Sequence, residues 1–232
     1  MVSVVMPAYN REQYIQQAIE SVLQQSHRPL ELLVVNDGST DATAEIVQAF
    51  GKDVQLVNRA NGGAAAARNV GVRLAKGAFL AFLDSDDLWP KDKLEVQLRY
   101  LKEHADAGYV LGKVEYFHDP GAQFPQEGLR HDLFHEPRFA QLLQAMVIRR
   151  QVFEEVGLFD EHLRTAEDVD WFSRANDMHV KRGEVEDVVA RIRIHQDNTS
   201  HYCRQNNMNL LSVLRRSVAR KQQSNSCSGA LK

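Results

Sequence analysis

Cysteine is nearly absent: the 232 residues hold two, Cys203 and Cys227, both near the C-terminus and without metal-ligand spacing. That excludes a disulfide-framework fold and a thiolate zinc site, and it favours a reducing, cytoplasmic setting. Long apolar runs are missing as well. Nothing approaches the ~18 consecutive apolar residues of a spanning helix. Met1 leads directly into a strand-like segment with no basic leader, so the chain reads as soluble or as peripheral at the inner face of the plasma membrane. Neither sign of charge dominates, since 28 Lys and Arg stand against 31 Asp and Glu, which argues against a nucleic-acid partner. No Gly-x-Gly-x-x-Gly opens the first helix, which removes a dinucleotide dehydrogenase. There is no internal repeat.

What is present is an alternation of two periodicities. Val2–Met6 is a β-branched run that stops at Pro7, followed by a loop at Pro7, Ala8, Tyr9 and Asn10. Ile15, Ala18, Ile19, Val22 and Leu23 then recur with the spacing of a helix packed on a sheet. Leu32–Val35 reads as the second strand, and the turn formers from Asn36 to Asp41 lead into a helix near Ala42. Val54–Val57, a helix carrying Ala67, Val70, Gly71 and Leu74, and Phe79–Leu83 continue the pattern. Strand and helix in alternation predict an α/β fold with a mainly parallel sheet flanked by helices. Ligands bind such sheets beyond the carboxyl ends of the strands, so the polar clusters at Tyr9-Asn10, Asp37 and Asp84–Asp87 are expected along one edge.

The second half is less regular. Lys91–His104 reads as an amphipathic helix, the stretch from Phe117 to Pro137 as a functional loop, and Phe139–Ile148 as an ordered return. Helices follow near Gln151–Val156 and from Thr165, and Val188–Ile194 is a late strand ending at His195. Leu210–Lys221 reads as a basic amphipathic helix, suited either to an anionic membrane surface or to packing on the body, ahead of a polar, disordered end.

Three carboxylates crowd Leu83-Asp84-Ser85-Asp86-Asp87 at a strand end. Like charges this close disfavour one another unless donors or a cation compensate, and hard oxygen ligands suit Mg²⁺ or Mn²⁺. The same acids could serve as turn formers and helix caps. Asp37, beside Gly38, fits either a ligand-facing turn or an ordinary one. Arg68, one turn into its helix, could reach phosphate or a carboxylate, or lie solvated at the surface. His195 is an acceptable Mn²⁺ ligand, or a structural histidine. Trp171 could face a sugar or the core. Thr165-Ala166-Glu167-Asp168 fits a capping box with Thr165 as N-cap.

Taken in order, Val-Ser-Val-Val-Met-Pro-Ala-Tyr-Asn, Val-Val-Asn-Asp-Gly-Ser-Thr-Asp, Asn-Gly-Gly-Ala-Ala-Ala-Ala-Arg-Asn-Val-Gly and Phe-Leu-Asp-Ser-Asp-Asp resemble family 2 glycosyltransferases of the GT-A fold. Val-Phe-Glu-Glu-Val-Gly-Leu-Phe-Asp at 152–160, Ala-Glu-Asp-Val-Asp-Trp at 166–171 and Arg-Ile-His at 193–195 extend the likeness to about His201. The resemblance implies an inverting enzyme that uses a nucleotide sugar, with UDP as the favoured carrier and a glycan, lipid-linked or polysaccharide acceptor of the cell envelope. It divides residues 1–204 into a donor half, 1–90, and an acceptor and base half, 91–204, with 205–232 appended. It implies that Pro7, Ala8, Tyr9 and Asn10 hold the nucleobase, that Asp37 binds base or ribose, and that Arg68 contacts the nucleotide. Asp84 and Ser85 would meet the donor, Asp86 and His195 the metal, and the Glu167-Asp168 pair would be catalytic, with Asp168 as general base.

Two rival readings carry different expectations. A sugar-nucleotide nucleotidyltransferase would show a Gly-rich loop after strand one, where this chain has Pro7-Ala8-Tyr9-Asn10. A catalytically silent relative would bind nucleotide without turnover, against which stand the intact Asp84, Asp86, Glu167 and Asp168.

Overall fold

The computed structural model describes residues 1–119, 136–163, 165–195 and 203–229, with side chains of the last segment described from 209 to 222. Its frame is one eight-stranded sheet. The first half is built from β1 (Val2–Ala8), α1 (Ile15–Leu23), β2 (Leu30–Asn36), α2 (Thr43–Gln48), β3 (Gln55–Asn58), α3 (Ala64–Leu74) and β4 (Phe79–Phe82). The four strands lie parallel in the order β3-β2-β1-β4. Every residue of β1 is buried, as a strand in the middle of a covered parallel sheet must be. The register sets Ala8 beside Asn36 and Asn36 beside Asn58, so these strands end level and their loops share one edge.

α1 covers the sheet with Ile15, Ala18, Ile19 and Val22, the stripe that the spacing predicted. α3 approaches more closely than a side chain would allow: a methyl group on Gly71 would stand 2.3 Å from Val5 Cγ1. α3 packs on β1 and β2, and Arg68 reaches from it to Asp84, just past the end of β4.

The second half contains α4 (Lys93–Glu103), β5 (Tyr109–Phe117), β6 (Arg138–Phe139), a 3₁₀ turn at Leu143–Ala145, β7 (Val147–Arg149), α5 (Arg150–Val156), α6 (Glu167–Asp177), β8 (Arg182–Arg193) and α7 (Cys203–Gly229). β7 joins β4 antiparallel and β5 joins β7 antiparallel, while the long β8 runs parallel to β5. The sheet is therefore mixed beyond β4. β5 was not anticipated, because the apolar Tyr109–Leu111 gives way to Gly112-Lys113 and the alternation is lost there, where the pairing with β8 is also irregular. The functional loop expected from Phe117 to Pro137 lies largely outside the described residues.

A cluster of rings closes the core between the halves. Phe153 packs on Phe82 at 5.7 Å and on Phe159 at 5.3 Å, and stacks on Trp171 at 5.2 Å. Trp171 is 0% exposed and donates its indole N–H to the Gly157 carbonyl at 3.0 Å, so it is core and does not face an acceptor sugar.

α7 lies along α6. Asn209 Nδ2 donates to Thr165 Oγ1 at 2.8 Å, Arg216 pairs with Asp160 at 2.5 Å, and Arg220 pairs with Asp177 at 2.8 Å. Lys221 also reaches Asp177, at 3.4 Å. Three of the helix's basic residues thus turn toward acids of the body, and helix continues through Gly229, where a disordered end was expected. No helix among the described residues is long and apolar enough to cross a membrane.

Candidate active site

The strand-end residues meet as expected, although the first pair sits deeper than a loop would place it. Pro7 and Ala8 are buried inside β1 and hydrogen-bond in register with β2, so the loop begins only at Tyr9, which is 46% exposed. Asn10 adopts φ 50°, a left-handed turn that Asn tolerates, and its side-chain oxygen accepts the Thr40 N–H at 2.8 Å. Asp37 follows β2 and is buried. Its carboxylate accepts the amides of Gly62 (3.1 Å) and Gly63 (2.7 Å) and a guanidinium N–H of Arg59 (2.9 Å). Gly63 caps α3 at φ 90°, a conformation that only glycine adopts freely. Asp37 thereby fastens the start of α3 to the end of β2.

The acids after β4 are held by three different sets of donors. Asp84 accepts Arg68 Nη2 at 2.6 Å on one oxygen and Gln144 Nε2 at 2.5 Å on the other. Asp86 Oδ2 accepts Arg11 Nε at 3.1 Å and lies 3.1 Å from His195 Nε2. Asp87 accepts the Arg193 amide at 2.8 Å and Gln144 Nε2 at 3.1 Å. Ser85, between them, is buried. The backbone explains why β8 contributes here: Leu88 and Arg191 exchange both hydrogen bonds, at 3.0 and 2.8 Å, which pins the end of β8 to the acid loop. His195 then stacks on Tyr14 at 4.7 Å.

Electrostatics separates the three carboxyls. Burial raises Asp84, with the Arg68 charge pulling the other way. Burial also pushes Asp87 well above the ordinary range, reinforced by the charges of Asp86 and Asp84. At Asp86 burial is outweighed by the hydrogen bond from His195 and the nearby Arg11 charge, and its carboxyl lies below its ordinary value. The acid flanked by the imidazole is therefore the most firmly ionised of the three.

Arg68 is 5% exposed, not a surface arginine, and bridges the two halves of the chain. Nη1 donates to Glu167 at 2.5 Å while Nη2 holds Asp84, and Nε is buried with no hydrogen-bond partner among the described residues. The residue that caps α6 is Ala166, at φ 65°, with no side-chain cap; the Thr165 hydroxyl accepts from Asn209 instead. The capping-box reading is thus overturned. A left-handed alanine costs about 1–2 kcal/mol, and such strain tends to persist where the surroundings fix the geometry. It turns Glu167 inward to Arg68 and sets Asp168 beside it. Asp168 is partly exposed, its Oδ1 accepts the Val169 amide at 2.7 Å, and burial, then the Glu167 charge, push its carboxyl up to about 6.

Arg11, Gln144 and Arg193 belong to this site and were not singled out in the sequence. Arg11 carried a signal, since it directly follows the first strand's loop; its guanidinium also meets the Asn10 carbonyl at 2.9 Å, linking the loop after β1 to Asp86. Gln144 lies 60 positions from Asp84 and gave none, while Arg193 stood in the Arg-Ile-His motif without a role of its own.

Asp86 and His195 form a carboxylate and imidazole pair that fits Mn²⁺ or Mg²⁺. Among the described residues no three or more His, Cys, Asp or Glu side chains gather as a metal site.

Comparison with known proteins bears on this geometry. The sequence model of Glycosyl transferase family 2 matches residues 3–159. A Rickettsia felis protein named as an uncharacterized glycosyltransferase is 35% identical over 205 residues, which cover 83% of this chain and 33% of that protein. Staphylococcus aureus TarS, solved with UDP-GlcNAc, superposes with a TM-score of 0.69 at 25% identity over 87% of this chain and 60% of TarS. The mannosyltransferase PcManGT of Pyrobaculum calidifontis, solved with GDP-Man and Mn²⁺, gives 0.71 at 20% identity over 94% of this chain and 64% of its own, a likeness of fold. The chain spans about a third of the Rickettsia protein's length.

Proposed function

Because the chain belongs to glycosyl transferase family 2 and has the GT-A fold, we propose that it transfers a sugar from a nucleoside diphosphate donor, UDP being favoured, to a hydroxyl of a glycan, lipid-linked or polysaccharide acceptor with inversion. TarS binding UDP-GlcNAc supports a uridine donor. The nucleotide lies along Tyr9, Asn10 and Asp37, beside the Arg68 guanidinium that bridges Asp84 and Glu167. Asp86 and His195 would hold Mn²⁺ or Mg²⁺, which would supply positive charge against that growing on the diphosphate.

The observation that carries the proposal is Asp168, a partly exposed carboxyl raised to about 6 beside the Asp84–Arg68–Glu167 bridge. A base poised near the working pH is ionised yet able to take a proton. Asp168 removes the acceptor hydroxyl proton as the new oxygen–carbon bond forms. The anomeric carbon's bond to the donor phosphate breaks in the same displacement, and its electron pair leaves with the diphosphate. Glu167 faces Arg68 and positions the base. The test is Asp168→Asn, which should retain nucleotide binding and lose sugar transfer; normal transfer by that variant would remove Asp168 from the reaction.

A further inference from the structure

Gln144 grips the acid loop from the side opposite Arg68. Its Nε2 donates to Asp84 at 2.5 Å and to Asp87 at 3.1 Å. The amide nitrogen is the atom that faces both acids. Oε1 then points away from both acids. It has no hydrogen-bond partner among the described residues, and the side chain is neither buried nor fully exposed.

The turn that carries Gln144 is held with unusual thoroughness. Trp89 Nε1 donates to the Gln144 carbonyl at 2.9 Å, Gln97 Nε2 to the Ala145 carbonyl at 2.8 Å, and Lys93 Nζ to the Met146 carbonyl at 3.3 Å. All three donors are buried, and Lys93 Nζ lies 4.4 Å from the centre of the Trp89 ring. Three successive carbonyls are thus fixed by three buried side chains from one neighbouring segment. The short 3₁₀ turn is left with little freedom, and a rigid support of this kind is what presents a polar group at one place.

Building on the glycosyltransferase reading, we propose that Gln144 is a donor-sugar contact. Nε2 sets the spacing of Asp84 and Asp87, and Oε1 accepts a hydrogen bond from a hydroxyl of the sugar being transferred. The amide joins the two duties, because the acids that bind the nucleotide side also orient the acceptor oxygen that meets the sugar.

The test is calorimetric titration of the full chain in Mn²⁺ with UDP, GDP, UDP-glucose, UDP-GlcNAc and GDP-mannose, for the wild type, Gln144→Ala and Gln144→Glu, with melting temperatures recorded for each. For the nucleotide sugar that the wild type prefers, Gln144→Ala should lose about five- to tenfold in affinity beyond its loss for the bare nucleotide, the ordinary worth of one hydrogen bond. Gln144→Glu keeps an acceptor oxygen and should retain the preference for sugar nucleotide over bare nucleotide, while a further carboxylate beside Asp84 and Asp87 lowers the Mn²⁺ needed. Equal losses for both ligand types in Gln144→Ala would overturn the sugar contact, as would unchanged binding of both. A folded wild type that binds no nucleotide at all would instead overturn the function on which the proposal rests.

Discussion

Replacing Asp168 by Asn should cut turnover steeply and make the protein more stable. Its carboxyl has an ordinary value of 3.8 and rises to about 6 in the fold, so the folded protein holds that proton more tightly than the unfolded chain. The ionised form is therefore kept at a cost. That cost is complete above pH 6, shrinks as pH falls through the interval, and is absent below 3.8, where both states are protonated. The full difference corresponds to about 3 kcal/mol. Since the carboxyl is partly exposed, water relieves a share of it, and about 1–3 kcal/mol is expected. Asn keeps the oxygen that accepts the Val169 amide at 2.7 Å and removes only the charge. For a protein of this size the gain is a rise of about 2–12 °C in melting temperature at pH 7.5. Melting curves of both proteins at pH 7.5 and pH 5 provide the assay, with the gap narrowing at the lower pH. Turnover of the wild type should fall about tenfold per pH unit below 6, while the variant loses about 10²–10⁴ in rate. An Asn variant that is less stable at pH 7.5, or whose gap widens on acidification, would refute the reasoning.

Further outcomes follow from the same bridge. Arg68→Met leaves Asp84 and Glu167 facing each other without their shared cation, and should cost about 3–5 kcal/mol in urea unfolding at pH 7.5. Acidification that protonates either carboxyl should return part of that loss. Ala166→Gly relieves the left-handed alanine before α6 and should gain about 1 kcal/mol, read as a melting temperature higher by roughly 2–4 °C.

The first half of the chain was legible because its elements are set by local periodicity. The stripe of Ile15, Ala18, Ile19 and Val22 and the strand ends at Asn36 and Asp84 follow from neighbours in the chain, and a parallel sheet gathers such ends by topology. What could not be read depends on partners far away. Arg68 looks like a surface residue until Glu167, 99 positions on, supplies its second carboxylate. Thr165 has the sequence of a cap, but Asn209 of α7 takes its hydroxyl and the helix starts from a left-handed alanine instead. Trp171 is amphipathic in type and entirely buried in place, because Phe153 and the Gly157 carbonyl satisfy its ring and its N–H. β5 hides behind Gly112 and Lys113, whose position is set by pairing with β8 and not by alternation.

The central claim is a metal-dependent donor site at the ends of β1, β2 and β4. The most direct measurement is titration of the purified chain with UDP, GDP and dTDP, first with Mn²⁺ and then with EDTA, alongside Asp86→Ala. Binding of one nucleotide that requires Mn²⁺ and disappears in Asp86→Ala is the expected result; a folded wild type that binds none of the three, or binds equally well in EDTA, would contradict it.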